Sequence, residues 1–264
     1  MDKKGEIDYL TKLINPNLGL ITNISYAHIQ NFNNLNQIAQ AKSEIIKNIM
    51  PGGTMVINKD NKYYTYFFKK ARKQKLKIIS YSEKNKNANV VFISQKKVKN
   101  KFLITFKINF KIKTFLISKE LTNYKQNILA SLSIIINYFT VKKLNRNLFL
   151  NFKIPKSRGS IKNYKKGSKK LTIVDESYNS NPLSFKFALE KFDKTYRKKN
   201  KKFLLIGDML ELGKYSKKLH IKIAHYINKA KLNKVYNYGK LTDHTFNKLK
   251  PQIKGKKLNN SAEV

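Results

Sequence analysis

The sequence has no cysteine, which excludes a disulfide framework and any thiolate metal site. That absence fits a reducing, cytoplasmic setting. The first ten residues, Met-Asp-Lys-Lys-Gly-Glu-Ile-Asp-Tyr-Leu, lack the apolar core of a signal peptide. The longest apolar stretch, residues 128–139, is interrupted by Ser131, Ser133 and Asn137 and is too short for a membrane span. Gly-Lys occurs at Gly213-Lys214, Gly239-Lys240 and Gly255-Lys256, never before Ser or Thr, so the sequence contains no P-loop. Zinc-ligand spacings and Gly-x-Ser-x-Gly are also missing. Acids are scarce: 15 Asp and Glu stand against 56 Lys and Arg, a net charge of +41. So is arginine, found only at Arg72, Arg146, Arg158 and Arg197. A nucleic-acid reader draws on arginine for bidentate contacts. Here lysines run along the whole chain, beside abundant Asn and Ile. That pattern reads as compositional drift toward residues with A/T-rich codons. A basic nucleic-acid-binding protein stays as the alternative, tested by the salt dependence of its affinity.

What is present suffices for a sizeable core. The 264 residues are 41% hydrophobic, enough for one large domain or two ordinary ones. Residues 19–24 read as a short strand, 35–49 as a helix stopped by Pro51-Gly52-Gly53, and 54–58 as a second strand. Phe102, Ile104, Phe106, Ile108, Phe110 and Ile112 alternate with polar residues, predicting a half-buried antiparallel pair with those six on one face. A helix over 126–139 closes this region. The pattern breaks around Ile154-Pro155-Lys156-Ser157-Arg158-Gly159, which places a domain boundary between 153 and 154. Beyond it, strands at 171–174, 203–206 and 235–238 alternate with helices at 184–192 and 216–228. That βαβαβ run predicts an α/β domain with a parallel sheet. The tail, 250–264, is polar and expected to be poorly ordered.

Lys42 is the most informative single residue. At 100° per residue it lies in the stripe of Leu35, Ile38, Ile45, Ile46 and Ile49. On pattern alone, such a lysine reaches water along its stem. The alternative is a buried, neutral amine able to take up carbon dioxide as a carbamate, which offers oxygens to magnesium. His28 follows the strand at 19–24, Asn58 and Asp60 follow the strand at 54–58, and Asp175 and Asp208 follow later strands. Strand carboxyl ends hold ligands in α/β proteins, although such carboxylates also cap helices. Asn181 and Pro182 suit the N-cap and first position of a helix.

Four short segments, Gly5-Glu6-Ile7, Ile21-Thr22-Asn23-Ile24, Ala27-His28 and Ala41-Lys42-Ser43-Glu44-Ile45, resemble the central domain of the Mur ligases. Val174-Asp175-Glu176-Ser177-Tyr178-Asn179-Ser180-Asn181-Pro182 resembles a signature of the MurF-type branch. Gly207-Asp208-Met209-Leu210-Glu211-Leu212-Gly213, with His220 following, resembles that branch's C-terminal domain. The resemblance implies part of a central ATPase domain at 1–153 and a Rossmann-like C-terminal domain at 154–264. It also implies an ATP- and magnesium-dependent, ADP-forming ligase of bacterial peptidoglycan synthesis. Such an enzyme joins D-alanyl-D-alanine to UDP-N-acetylmuramoyl-tripeptide through an acyl phosphate. By the same resemblance Lys42 is carbamylated and binds metal with His28. Asn58, Asp60, Arg158 and Asp175 approach ATP, and Asn179 and Asn181 approach the dipeptide.

The departures are specific. The family's N-terminal UDP-sugar domain, P-loop and metal-binding Glu precede its Gly-Glu-Ile motif, which here begins at the fifth residue. Leu121-Thr122-Asn123 stands where the family has Gly-x-His, Glu176 replaces the second Asp of the signature, and Ser157 replaces a Gly. The sequence is therefore expected to be a fragment, inactive alone, with an upstream chain as a possible source of the P-loop. A non-catalytic remnant is the further alternative.

Overall fold

The computed structural model describes residues 1–196, 201–260 and 262. Contacts divide the chain into two compact units, Met1–Ile24 with Asn34–Lys153, and Ser25–Asn33 with Ile154–Val264.

The first unit opens with α1 (Glu6–Ile14) and β1 (Leu18–Ile21), followed after the loop by α2 (Leu35–Lys42) and α3 (Glu44–Lys47). The single helix expected over 35–49 is broken at Ser43. The Ser43 hydroxyl donates to Gln40 O (2.6 Å), and Ile46 N–H closes back onto Ser43 O (3.1 Å) rather than a full turn earlier. Such hydroxyl-to-backbone bonds compete with regular helix geometry. The apolar stripe still holds, with Ile38, Ile46 and Ile49 buried. Gly19 lets this helical segment sit close: a Cβ there would lie 2.8 Å from Ile49 Cδ1.

Next come β2 (Thr54–Asn58), α4 (Tyr64–Lys73), β3 (Lys77–Ser82), β4 (Val90–Val98), β5 (Lys101–Ile108), β6 (Lys111–Ile117) and α5 (Lys125–Tyr138). The six strands form one sheet in the order β1-β2-β3-β4-β5-β6. The first four are parallel and the last two run antiparallel. All five residues of β2 are buried, as expected of a parallel strand covered on both faces. Ile104, Phe106 and Ile108 of β5, with Phe115 and Ile117 of β6, join Ile128, Leu129 and Leu132 of α5 in the core.

Phe110 and Ile112 do not share that face. A two-residue turn, with Asn109 at φ 53°, pairs Ile108 with Lys111 and Ile104 with Phe115. Cross-strand partners share a face, so even-numbered residues of β5 face inward with odd-numbered residues of β6. Phe110 is left 99% exposed at the tip, and Ile112, opposite Lys107, is 68% exposed.

The second unit contains β7 (Ser160–Lys166), β8 (Lys169–Asp175), α6 (Pro182–Thr195), β9 (Phe203–Gly207), α7 (Ser216–Lys229), β10 (Lys234–Tyr238), α8 (Asp243–Phe246) and β11 (Lys254–Leu258). The strand expected to open the parallel sheet instead pairs antiparallel with β7 as a separate hairpin. The parallel sheet is β11-β10-β9. Its third strand comes from the tail expected to lack order, of which Ser261, Glu263 and Val264 lie outside the described residues. Lys254, Lys256 and Lys257 on this edge strand hid it from a periodicity reading, and lysines on an edge also discourage pairing with other chains. Leu189, Ile206, Ala224, Ile227, Val235 and Phe246 are central to the core.

Phe106 is fully buried, with its ring 6.2 Å from those of both Phe92 and Phe115. Phe106→Ala is expected to destabilise the first unit by about 3–5 kcal/mol in urea unfolding, through lost transfer energy and the cavity left behind.

Candidate functional site

In the first unit the candidate groups gather where β1 ends. The strand stops at Ile21, leaving the carbonyls of Thr22 and Asn23 in need of donors. Asn58 Nδ2 donates to Thr22 O (3.2 Å), as does the Tyr81 hydroxyl (3.4 Å). Lys42 Nζ donates to Asn23 O (3.1 Å). Lys42 also borders a recess of about 190 Å³ lined by Ile7, Leu20, Ile21, Thr22 and Ile45. Burial lowers the pKa of its amine.

Asp60 sits at the head of a second tier. Its carboxylate accepts from the Ser82 hydroxyl, from Glu83 N–H (2.7 Å) and from Gln126 Nε2 (3.3 Å). Asp60 N–H in turn donates to Asn58 Oδ1 (2.9 Å), and Asn58 Nδ2 reaches Gln126 Oε1 (3.2 Å). These side chains tie the ends of β1, β2 and β3 to the first turn of α5. Sequence reasoning missed Gln126, a lone polar residue at a helix start. It also missed Glu44. That carboxylate accepts from Gly5 N–H (2.9 Å) and Asp8 N–H (3.2 Å) at the amino end of α1, where the dipole favours an anion.

In the second unit, His28 takes a left-handed backbone (φ 59°), and its Nδ1 lies 2.6 Å from Glu211 Oε2. Gln30 N–H donates to Glu211 O (3.0 Å). A Cβ on Gly213, itself at φ 49°, would lie 2.8 Å from Gln30 Cα, so only glycine lets these loops approach so closely. Ser157, standing where the resemblance expects glycine, is likewise left-handed at φ 58°. Its hydroxyl donates to Asp175 Oδ2 (3.0 Å). The Ser177 hydroxyl (2.7 Å) and N–H (3.0 Å) donate to Asp175 Oδ1. These bonds, the Ser177 hydroxyl foremost, hold the carboxyl below the usual carboxylate range. The Arg158 guanidinium stacks 4.2 Å from the Tyr178 ring centre. Asn181 caps α6, accepting from Leu183 N–H (3.0 Å) and Ser184 N–H (3.1 Å), with Pro182 at the first helical position. Asn179 is exposed. Asp208 serves structure: its Oδ1 accepts from Thr242 N–H (2.8 Å).

The sequence model of the Mur ligase middle domain matches residues 1–135. The model described as "Mur ligase, glutamate ligase domain" matches 163–262. The chain belongs to the Mur ligase family. Similar curated proteins include the UDP-N-acetylmuramoyl-tripeptide–D-alanyl-D-alanine ligase of Rickettsia prowazekii, 29% identical over 265 residues, spanning 100% of this chain and 58% of that protein. The ligase of the same name from Buchnera aphidicola subsp. Baizongia pistaciae is 31% identical over 239 residues, 90% of this chain and 50% of that protein. Among solved structures, MurF from Acinetobacter baumannii superposes with a TM-score of 0.82 at 20% identity, covering 100% of this chain and 55% of its own. MurF from Thermotoga maritima, solved in complex with ADP, gives 0.80 at 22% identity, 98% and 56%. The chain thus spans about half the length of the curated relatives it matches.

For a Mur ligase, the residues expected to bind magnesium form an incomplete set. Among the described residues no three His, Asp or Glu side chains converge on one point, whereas magnesium takes six ligands in near-ideal octahedral geometry. His28 and Lys42 belong to different compact units.

His220 shows how the Gly207–Gly213 segment is held. Its buried Nδ1 donates to Ser216 O (2.9 Å), and Nε2 accepts from Met209 N–H (3.2 Å). Burial lowers its pKa below 6.5. The unfolded chain then binds the proton more readily, so stability is complete above about pH 6.5 and falls as pH drops through the lower folded value. Unfolding curves across this range are expected to lose that slope in His220→Gln.

Proposed function

We propose that this chain supplies the middle and C-terminal domains of a bacterial, cytoplasmic ligase that joins D-alanyl-D-alanine to UDP-N-acetylmuramoyl-tripeptide at the expense of ATP. The observation that carries the reading is Lys42, an amine desolvated by its apolar neighbours and held at the carboxyl end of β1. The curated relatives above carry that ligase name.

In this reading the neutral amine of Lys42 attacks carbon dioxide. A C–N bond forms, one proton leaves, and an anionic carbamate replaces the cation. Magnesium, when bound, would offset the charge of phosphate and carboxylate oxygens. Asn58 and Asp60 shape the nucleotide side of the site. Arg158 and Asp175 face phosphate and ribose, and Asn179 and Asn181 border the dipeptide. The substrate carboxylate takes the γ-phosphoryl group and ADP leaves. The dipeptide amine then attacks the acyl carbon and phosphate leaves. No stretch of these 264 residues forms a phosphate-cradling Gly-Lys-Ser/Thr loop, so turnover requires that loop from elsewhere.

Two measurements test this. In ¹³C-bicarbonate, the purified chain is expected to show a carbamate resonance that vanishes in Lys42→Arg, and a wild-type chain without the resonance would remove the assignment. Residues 1–264 grafted into the matching part of the Rickettsia prowazekii ligase should release phosphate only with both tripeptide precursor and D-alanyl-D-alanine. Lys42→Ala should cut that rate by about 100-fold or more, of the order seen when a stabilising group is removed from an active site. Phosphate release supported by a different amino acid in place of the dipeptide would refute the substrate assignment.

A further inference from the structure

The turn between β5 and β6 puts apolar groups where core packing cannot use them. Phe110 is 99% exposed at the tip and Ile112 68% exposed on the outer face. A groove of about 380 Å³ runs between residues 108–111 and Thr140, Val141 and Lys142. Phe139, just past α5, is a further exposed aromatic, at 58%. Single exposed apolar residues are ordinary, but two large ones this exposed on one hairpin end, beside a groove, are not.

The tip is also strongly basic. Lys107 and Lys111 flank it, and Lys142 and Lys143 follow the groove. Lys107 Nζ is held on Lys86 O (2.6 Å) and Lys113 Nζ on Lys142 O (3.4 Å), so these cations rest on backbone carbonyls. Glu120 is the sole acid between Glu83 and Asp175. An apolar point ringed by lysines is complementary to an anionic lipid surface, where side chains enter the interface and ammonium groups meet phosphates.

We propose that the β5–β6 tip docks the protein peripherally on anionic membranes. Phe110 and Ile112 enter the headgroup–acyl boundary, and Lys107, Lys111, Lys142 and Lys143 contact lipid phosphates. A nucleic acid fits less well. Aliphatic Ile112 offers no stacking face, and none of these cations is an arginine.

The chain has no tryptophan, so Phe110→Trp introduces the sole indole, excited selectively over the tyrosines at the red edge of their absorption. With vesicles of phosphatidylcholine and phosphatidylglycerol in about 0.15 M salt, its emission is expected to shift blue and to be quenched by brominated acyl chains. Pure phosphatidylcholine vesicles should leave it unchanged. Phe110→Ser, at an exposed position with all charges kept, should weaken co-sedimentation at least tenfold with an unchanged melting midpoint. Emission that ignores anionic vesicles would overturn the proposal, as would undiminished sedimentation of Phe110→Ser, which marks simple charge attraction. Quenching of the reporter by single-stranded RNA but not by brominated lipid would overturn it in favour of a nucleic-acid surface.

Discussion

A backbone carbonyl that leaves a strand must find another donor or remain costly. At the end of β1 this requirement organises the first unit's candidate site. Thr22 and Asn23 are satisfied by side chains from three other elements: Asn58 from β2, Tyr81 from β3 and Lys42 from α2. Each donor is fixed by packing behind it. Tyr81 is buried, and burial raises its pKa, so it stays a neutral donor. Lys42 ends α2, just before α3, whose Ile45 packs closely over Gly19 of β1. Asp60, bonded to Ser82, Glu83 and Gln126, braces the neighbouring strand ends and keeps Asn58 oriented. The amine is thus placed by a hydrogen-bonded network that joins the ends of three strands.

The second unit uses a different device, loops pinned by polar side chains in left-handed backbone. Ser157 turns at positive φ and spends its hydroxyl on Asp175, which the Ser177 hydroxyl and N–H also address. His28 and Glu211, both left-handed, meet through their side chains. Such conformations cost of order 1–3 kcal/mol each. They persist here because buried His220 clamps Met209 and close contact at Gly213 fixes the adjoining loop.

Charge plays little part in holding either fold. The cations vastly outnumber the acids, and many ammonium groups settle on carbonyls, such as Lys59 on Asn87 O and Lys234 on Lys254 O. Some ion pairs, such as Lys186–Glu190, sit on an exposed helix face, where they contribute little. Lys202–Asp193 is the more buried exception. Cohesion rests on apolar burial, and the surplus charge is turned to solvent.

The sequence by itself determined the α/β character, the strand β2, the helices around 126–139 and 216–228, and the Asn181-Pro182 helix start. Each is set by local periodicity or capping chemistry that neighbouring residues specify. It also marked Lys42 as anomalous. Only the tertiary structure decided that β8 pairs with β7, that the lysine-rich segment 254–258 completes the parallel sheet, and that a two-residue turn throws Phe110 and Ile112 out of the core. It alone joined Gln126 to Asp60, Glu44 to α1 and Glu211 to His28. Pairing partners and strand register depend on contacts between residues far apart in the chain, where hydrophobic patterns of short strands are degenerate. A polar side chain's partner is set by where those strands end.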